Sequence, residues 1–164
     1  MQIHPAARIL IAGHAPGRRV HNSGRPFADS SGDRLRDWLG IDAATFYNAQ
    51  SVAIVPMSFC YPGTGESGDL PPLKRCAPTW RKAVLAQLND VRLTVVLGQY
   101  AQRWHVPAAP RAVTAAAKAW RGGPADTFVL PHPSPRNNPW LAKNPWFGVD
   151  VLPTLQAAVR AALV

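Results

Sequence analysis

RILIAGHAPG, Arg8 to Gly17, is the stretch on which the fold turns. From Ile9 to Ala12 no polar residue interrupts the run Arg8–Ala12, the pattern of a short strand buried on both faces. Gly13 ends the run. The turn that follows, Gly13-His-Ala-Pro-Gly17, can bring backbone close to a ligand because glycine has no Cβ. It has neither the G-x-x-x-x-G-K-[ST] of a phosphate-cradling loop nor the G-x-G-x-x-G of a dinucleotide fold.

Three further runs share this β-rich, apolar character: Phe46–Val55 (FYNAQSVAIV), Leu93–Leu97 (LTVVL) and Thr127–Leu130 (TFVL). Turn signals such as Gly98 and Pro131 bound them. Between them the spacing is helical. Ser31–Leu39 sets Leu35, Trp38 and Leu39 at helical intervals behind a serine and acidic start, and Thr79–Leu88, Tyr100–His105, Val113–Trp120 and Asp150–Leu163 are of the same kind. Strands alternating with helices predict an α/β fold, a three-layer α/β/α sandwich around a central, mostly parallel four-stranded sheet. With no internal repeat and no linker, residues 1–164 read as a single domain.

Composition narrows the function. Hydrophobic residues make up 47% of the chain and charged residues 16%, as in a globular protein. No apolar run approaches the ~20 residues of a membrane span. The start, MQIHPAARILIAG, lacks the basic and long apolar regions of a signal peptide, so a soluble, cytoplasmic protein without membrane contact is expected. Eighteen Lys and Arg against nine Asp and Glu leave a net charge of +9, which favours a polyanionic partner and argues against a hydrolase of free nucleosides. The charge is clustered: Arg18, Arg19, Arg25, Arg34 and Arg36 in one stretch, Lys74, Arg75, Arg81 and Lys82 in another. Cys60 and Cys76 make no disulfide framework, and the five histidines show no metal-ligand spacing.

The residues least expected of a plain scaffold all follow strand ends, where open α/β sheets place their ligand crevice. After the first strand comes Gly13–Gly17. After the third comes Gly98-Gln-Tyr. After the fourth comes VLPHPSPRNNPW, Val129 to Trp140, in which a histidine stands between two prolines, followed by a serine, a third proline, an arginine and two asparagines. Prolines fix φ, so this loop holds its polar side chains stiffly at a surface.

The combination of G-x-A-P-G after the first strand, SGRPF at Ser23–Phe27, an asparagine (Asn48) in the second apolar run and HPSP after the last strand resembles the uracil-DNA glycosylase superfamily over nearly the whole chain. The first motif is closest to bacterial and thermophile branches that have no aspartate there. The resemblance implies a DNA repair enzyme that flips uracil or a related deaminated base from the stack and hydrolyses its N-glycosidic bond. It implies that His132 stabilises the departing base anion, that Asn48 reads the base edge, and that Phe27 stacks on the base above Gly13, His14 and Ala15. Ser134, Pro135, Arg136 and Asn137 would press on DNA, with Arg136 as a wedge or a phosphate contact.

Two departures stand out. The best-known branch carries an aspartate two residues after the glycine of the first motif, where this chain has Ala15. Asp29 is the substitute, either orienting water or capping the helix that begins near Ser31, and His14 is a second candidate. The iron–sulfur branches carry two cysteine pairs, and Cys60 and Cys76 match only the second; two thiolates cannot hold a four-ligand cluster, so no cluster, metal or other cofactor is expected. The absence of lysine in these motifs implies a monofunctional enzyme, expected to be a monomer. The missing aspartate leaves open a rival: a catalytically weak or inactive protein of the same fold that binds damaged or single-stranded DNA.

Overall fold

The computed structural model describes residues 1–66 and 68–164. Four strands, β1 (Ile9–Ala12), β2 (Val52–Ile54), β5 (Leu93–Leu97) and β6 (Thr127–Leu130), form one sheet in the order β2-β1-β5-β6, with every pairing parallel. Ile11 stands beside Ile54 on one side and Val95 on the other, and Val96 beside Val129. A two-stranded antiparallel hairpin, β3 (Thr64–Gly65) with β4 (Gly68–Asp69), projects from the connection between β2 and β5.

The period of two along each strand sorts the core into two layers. Ile9, Ile11, Val52, Ile54, Val95, Leu97 and Leu130 face α2 (Ser30–Leu39) and α8 (Leu152–Leu163), meeting Leu35, Leu39, Leu155 and Val159. Leu10, Ala12, Ala53, Val55, Val96 and Val129 face the other way, toward α4 (Lys82–Leu85), α5 (Gly98–His105) and α6 (Val113–Lys118). Helices on both faces of a parallel sheet make the three-layer α/β/α sandwich that the strand–helix alternation predicts. Each fully buried side chain of this size contributes ~1.5–3 kcal/mol. None of the described helices is long and apolar enough to cross a membrane.

Four expectations about elements are corrected. The run Phe46–Val55 is not one strand: Asp42 Oδ1 accepts the Thr45 N–H at 2.8 Å and starts a short helix, α3 (Ala43–Tyr47), so β2 begins only at Val52. The helices expected at Thr79–Leu88 and Asp150–Leu163 begin earlier, each with a wide π-helical turn, Ala77–Arg81 and Phe147–Val151. Val113–Trp120 is α only to Lys118 and then tightens into a 3₁₀ turn, Ala119–Gly122. Two further helices flank the sheet's working edge, α1 (Arg18–Ser23) and α7 (Asn138–Lys143).

Arg81 is wholly buried and, among the described residues, forms no ion pair with a carboxylate. Its guanidinium donates to the carbonyls of Val55 (2.6 Å) and Pro56 (2.8 Å) and to His105 Nε2 (2.5 Å). Because arginine only donates, that histidine nitrogen must accept and the ring must be neutral. Burial, reinforced by the Arg81 charge, pushes His105 down to about 4; burial brings Arg81 itself to about 10, against an opposing pull from Cys76. The pair fixes the carboxyl end of β2, and Pro56 there lines the cleft.

Candidate active site

The strand order reverses direction between β1 and β5, and a cavity of about 850 Å³ opens at the carboxyl edge of the sheet. Its floor is Gly13, Ile54, Pro56, Leu97 and Gly98; its walls are the Gly13–Gly17 turn, the segment from Pro26 to Ser31, and the loop after β6. Gly98 has φ 77°, a left-handed conformation that suits glycine and lets the chain pass from β5 straight into α5.

His132 follows β6 after a single proline, Pro131. Its Nδ1 accepts the Ser134 N–H at 3.2 Å, which a backbone amide can only donate, so the proton of the neutral ring is on Nε2. Burial, and then the neighbouring His14, push its pKa down to about 4, against the attraction of Asp29 and Asp69. The loop that carries it is braced from two sides. Arg34, on α2, donates to the carbonyls of Ser134 (3.0 Å) and Pro133 (3.4 Å) and to Asn138 Oδ1 (2.7 Å). From within, Asn137 Nδ2 donates to the His132 carbonyl at 2.7 Å, and Ser134 Oγ accepts the Arg136 N–H at 3.3 Å. The stiffness that three prolines suggest is completed by an arginine a hundred residues away in the chain.

Phe27 lines the cleft in a left-handed backbone conformation, φ 53°, which costs a bulky residue ~1–3 kcal/mol. Two contacts hold it there: Tyr47 Oη donates to its carbonyl at 3.1 Å, and Gly32 of α2 packs directly against its backbone. The ring reaches over Gly13, where an added Cβ would lie 3.7 Å from Cζ, and meets Phe46 edge to face at 6.2 Å. His14 stands edge-on to Tyr100 at 5.2 Å, half-buried, with its pKa lowered by burial and partly restored by Asp69.

The family model of the uracil DNA glycosylase superfamily matches residues 1–156, the whole sheet and the cleft with it. The chain belongs to that superfamily. The cleft gathers most of the residues expected from the sequence: Gly13, His14, Ala15, Phe27, Asp29, His132, Ser134, Pro135, Arg136 and Asn137 all line it.

Asn48 does not join them. It closes α3 at the amino end of β2, exposed, with Oδ1 accepting the Gln50 N–H at 3.0 Å. The base-reading role expected of it is withdrawn, because the helix over Ala43–Tyr47 puts it at the far end of the strand from the cleft. Asp29 caps α2 through Oδ1, which accepts the Gly32 N–H at 3.1 Å, while also facing His132. The cap and the cleft position therefore coexist. Of the arginines near Asp29, Arg34 and Arg36 are turned inward, the latter onto Asp33 and the Tyr47 hydroxyl; Arg18, Arg19 and Arg25 remain exposed near the cleft mouth. Cys60 is exposed, and Cys76 Sγ accepts the Phe59 N–H at 3.3 Å.

Gln99 and Tyr100, at the strand end already marked as part of the crevice, line it without a role having been expected of them, and the residue that sequence reasoning missed is Asp69, at the end of the β3–β4 hairpin. The hairpin is pinned to the histidine loop by Arg136, whose guanidinium lies against Gly68; a Cβ there would come within 3.3 Å of Cζ and nearer still to Nη1.

Proposed function

We propose that this protein is a monofunctional DNA glycosylase that removes uracil, or a related deaminated base, from DNA and leaves an abasic site. The observation that carries the proposal is the tautomer of His132: a neutral imidazole, held by a backbone amide at Nδ1, offers its Nε2–H to the cleft. Cleavage of an N-glycosidic bond sends the electron pair onto the base, and a fixed hydrogen-bond donor at a base carbonyl stabilises that anion as it forms. A charged histidine would have to break the Ser134 contact to exist. Phe27, arched over Gly13, supplies a stacking face for an extruded base, and Asp29 faces the sugar side as a candidate for steadying water or positive charge. Among the described residues lining the cleft there is no lysine, hence no amine for a covalent Schiff base. The loop from Ser134 to Asn137, with the exposed Arg136 and the rim arginines of α1, is the surface offered to DNA.

The test is a single-turnover strand-break assay on end-labelled oligonucleotides carrying uracil in a single strand, opposite G and opposite A, with hypoxanthine and xanthine beside it. Alkali-labile breaks at uracil are expected, and His132→Ala should lower the rate by ~10²-fold or more with DNA affinity retained. Tight DNA binding without cleavage of any of these bases would overturn the proposal in favour of a non-catalytic damage binder.

A further inference from the structure

Water must be activated in this cleft without the aspartate of the first motif. We propose that His14 is the base that takes the water's proton, and that Asp69, delivered by the β3–β4 hairpin, is the carboxylate that stabilises His14 as it charges. The inference rests on the glycosylase reading of the same cleft.

Three observations place the pair. Asp69 overhangs the first turn: a Cβ on Gly17 would stand 3.8 Å from Asp69 Oδ2, and Gly17, His14 and Asp69 all line the cavity. The Asp69 carboxylate is unspent, since among the described residues it accepts no hydrogen bond and the one ion pair joins Asp33 to Arg36. The His14 ring likewise makes no hydrogen bond among the described residues, while Tyr100 packs on it edge-on and its own carbonyl is tied to the N–H groups of Met57 (3.0 Å) and Ser58 (3.2 Å). His14 is thus fixed in place with its nitrogens unclaimed. Asp29, by contrast, commits Oδ1 to the α2 cap.

The groups facing His14 are Asp69 from the hairpin, His132 from the β6 loop and Tyr100 from α5. Burial keeps His14 neutral near pH 7, the form a base requires. In the step, a water oxygen bonds to C1′ as the C1′–N bond breaks and its electron pair departs with the base. One water proton passes to the free imidazole nitrogen. The imidazolium then faces a carboxylate, and His132 keeps its own proton as donor to the base anion. The two histidines divide the work, one accepting and one donating, because Nδ1 of His132 is already occupied.

The experiment compares single-turnover rates of the wild type, H14Q, D69N, D69E and D33N on uracil-containing single strands between pH 4.5 and 8, with DNA affinity measured alongside. The wild-type rate should fall in acid as His14 protonates, with an inflection below the ordinary histidine value. H14Q should lose ~10²-fold or more of the plateau rate. D69N should lose ~10-fold and shift the acid inflection to lower pH, since the charge that raises the His14 pKa is gone. D69E should recover part of both, and D33N, the same charge change outside the cleft, should alter neither. Wild-type rate and an unmoved inflection in D69N, with cleavage intact in the parent protein, would overturn the inference and leave the glycosylase reading standing. A parent protein that cleaves nothing would overturn both.

Discussion

Replacing Gly32 by alanine sets two physical effects of opposite sign against each other. At the third residue of α2 alanine is favoured over glycine by at most the ~1 kcal/mol of a helix interior, so helix propensity alone predicts a stabilised protein. The structure predicts the reverse. A Cβ at position 32 would lie 2.7 Å from the Phe27 carbonyl carbon and 2.8 Å from its Cβ, and closer still to the carbonyl oxygen. Those atoms are backbone or the root of a side chain, so no rotamer change relieves them; helix or loop must shift by an ångström or so. Overpacking of that kind costs ~1–3 kcal/mol or more, and Phe27 already sits in a left-handed conformation with little freedom to retreat. The Tyr47 hydrogen bond to its carbonyl is lost in any retreat, adding about 1 kcal/mol. A net loss of about 2 kcal/mol is expected, seen as a fall of roughly 4–8 °C in thermal midpoint. Because the yielding element carries the ring over Gly13, the single-turnover rate should fall at least ~10-fold at temperatures where the variant remains folded. Urea denaturation and the strand-break assay, run on one preparation, read both. A variant as stable as the parent, with unchanged rate, would refute the claim that Gly32 exists to let Phe27 pass.

Arg34→Ala should slow the chemical step by ~10-fold through a loosened His132 loop while DNA affinity changes little, and Arg34→Lys should restore little, since a single ammonium cannot span the two carbonyls and Asn138; single-turnover rates beside binding isotherms check this. His105 and His132 both have folded-state pKa values near 4, below the unfolded value of 6.5. The unfolded chain therefore binds more protons between those values, and stability is complete above pH 6.5 and lost as pH falls toward 4, by roughly 1.4 kcal/mol per pH unit for each group. Urea midpoints from pH 7 to 4.5 should show the slope, and His105→Gln should make it shallower.

Much of the fold was legible because a parallel sheet buried on both faces needs continuous apolar runs, and Leu93–Leu97 and Thr127–Leu130 are strands over those very residues. The second run misled for a local reason. Phe46 and Tyr47 favour strands by composition, but Asp42 caps a helix turn just before them, and their rings serve the core and the Phe27 carbonyl. Moving the strand start to Val52 carried Asn48 out of the site. The β3–β4 hairpin has no alternating apolar pattern to betray it; its only signal is the pair of glycines, Gly65 and Gly68, that face each other across it. Asp69 was invisible for that reason. Arg34 was visible only as charge, since its partners lie about a hundred residues further on.

The stretch from Phe27 to Arg34 explains why strand ends alone do not make this cleft. Within eight residues it supplies the ring over Gly13, the cap at Asp29, the clearance at Gly32 and the clamp at Arg34. Phe27 lies two residues before the cap, and Gly32 and Arg34 lie on the first turns of α2, so the distance between stacking face and His132 loop is set by the helix and its capped, close-packed entry rather than by a free loop. The helix is in turn seated on the sheet through Leu35, Trp38 and Leu39. Strain at Phe27 is tolerable because a capped helix, a buried glycine and a tyrosine hydroxyl all hold the same carbonyl region, and relaxing any one would move the ring and the histidine loop together. Coupling of this kind predicts non-additivity: the Gly32 and Arg34 variants combined should slow the reaction by less than the product of their separate effects, since both disturb one distance.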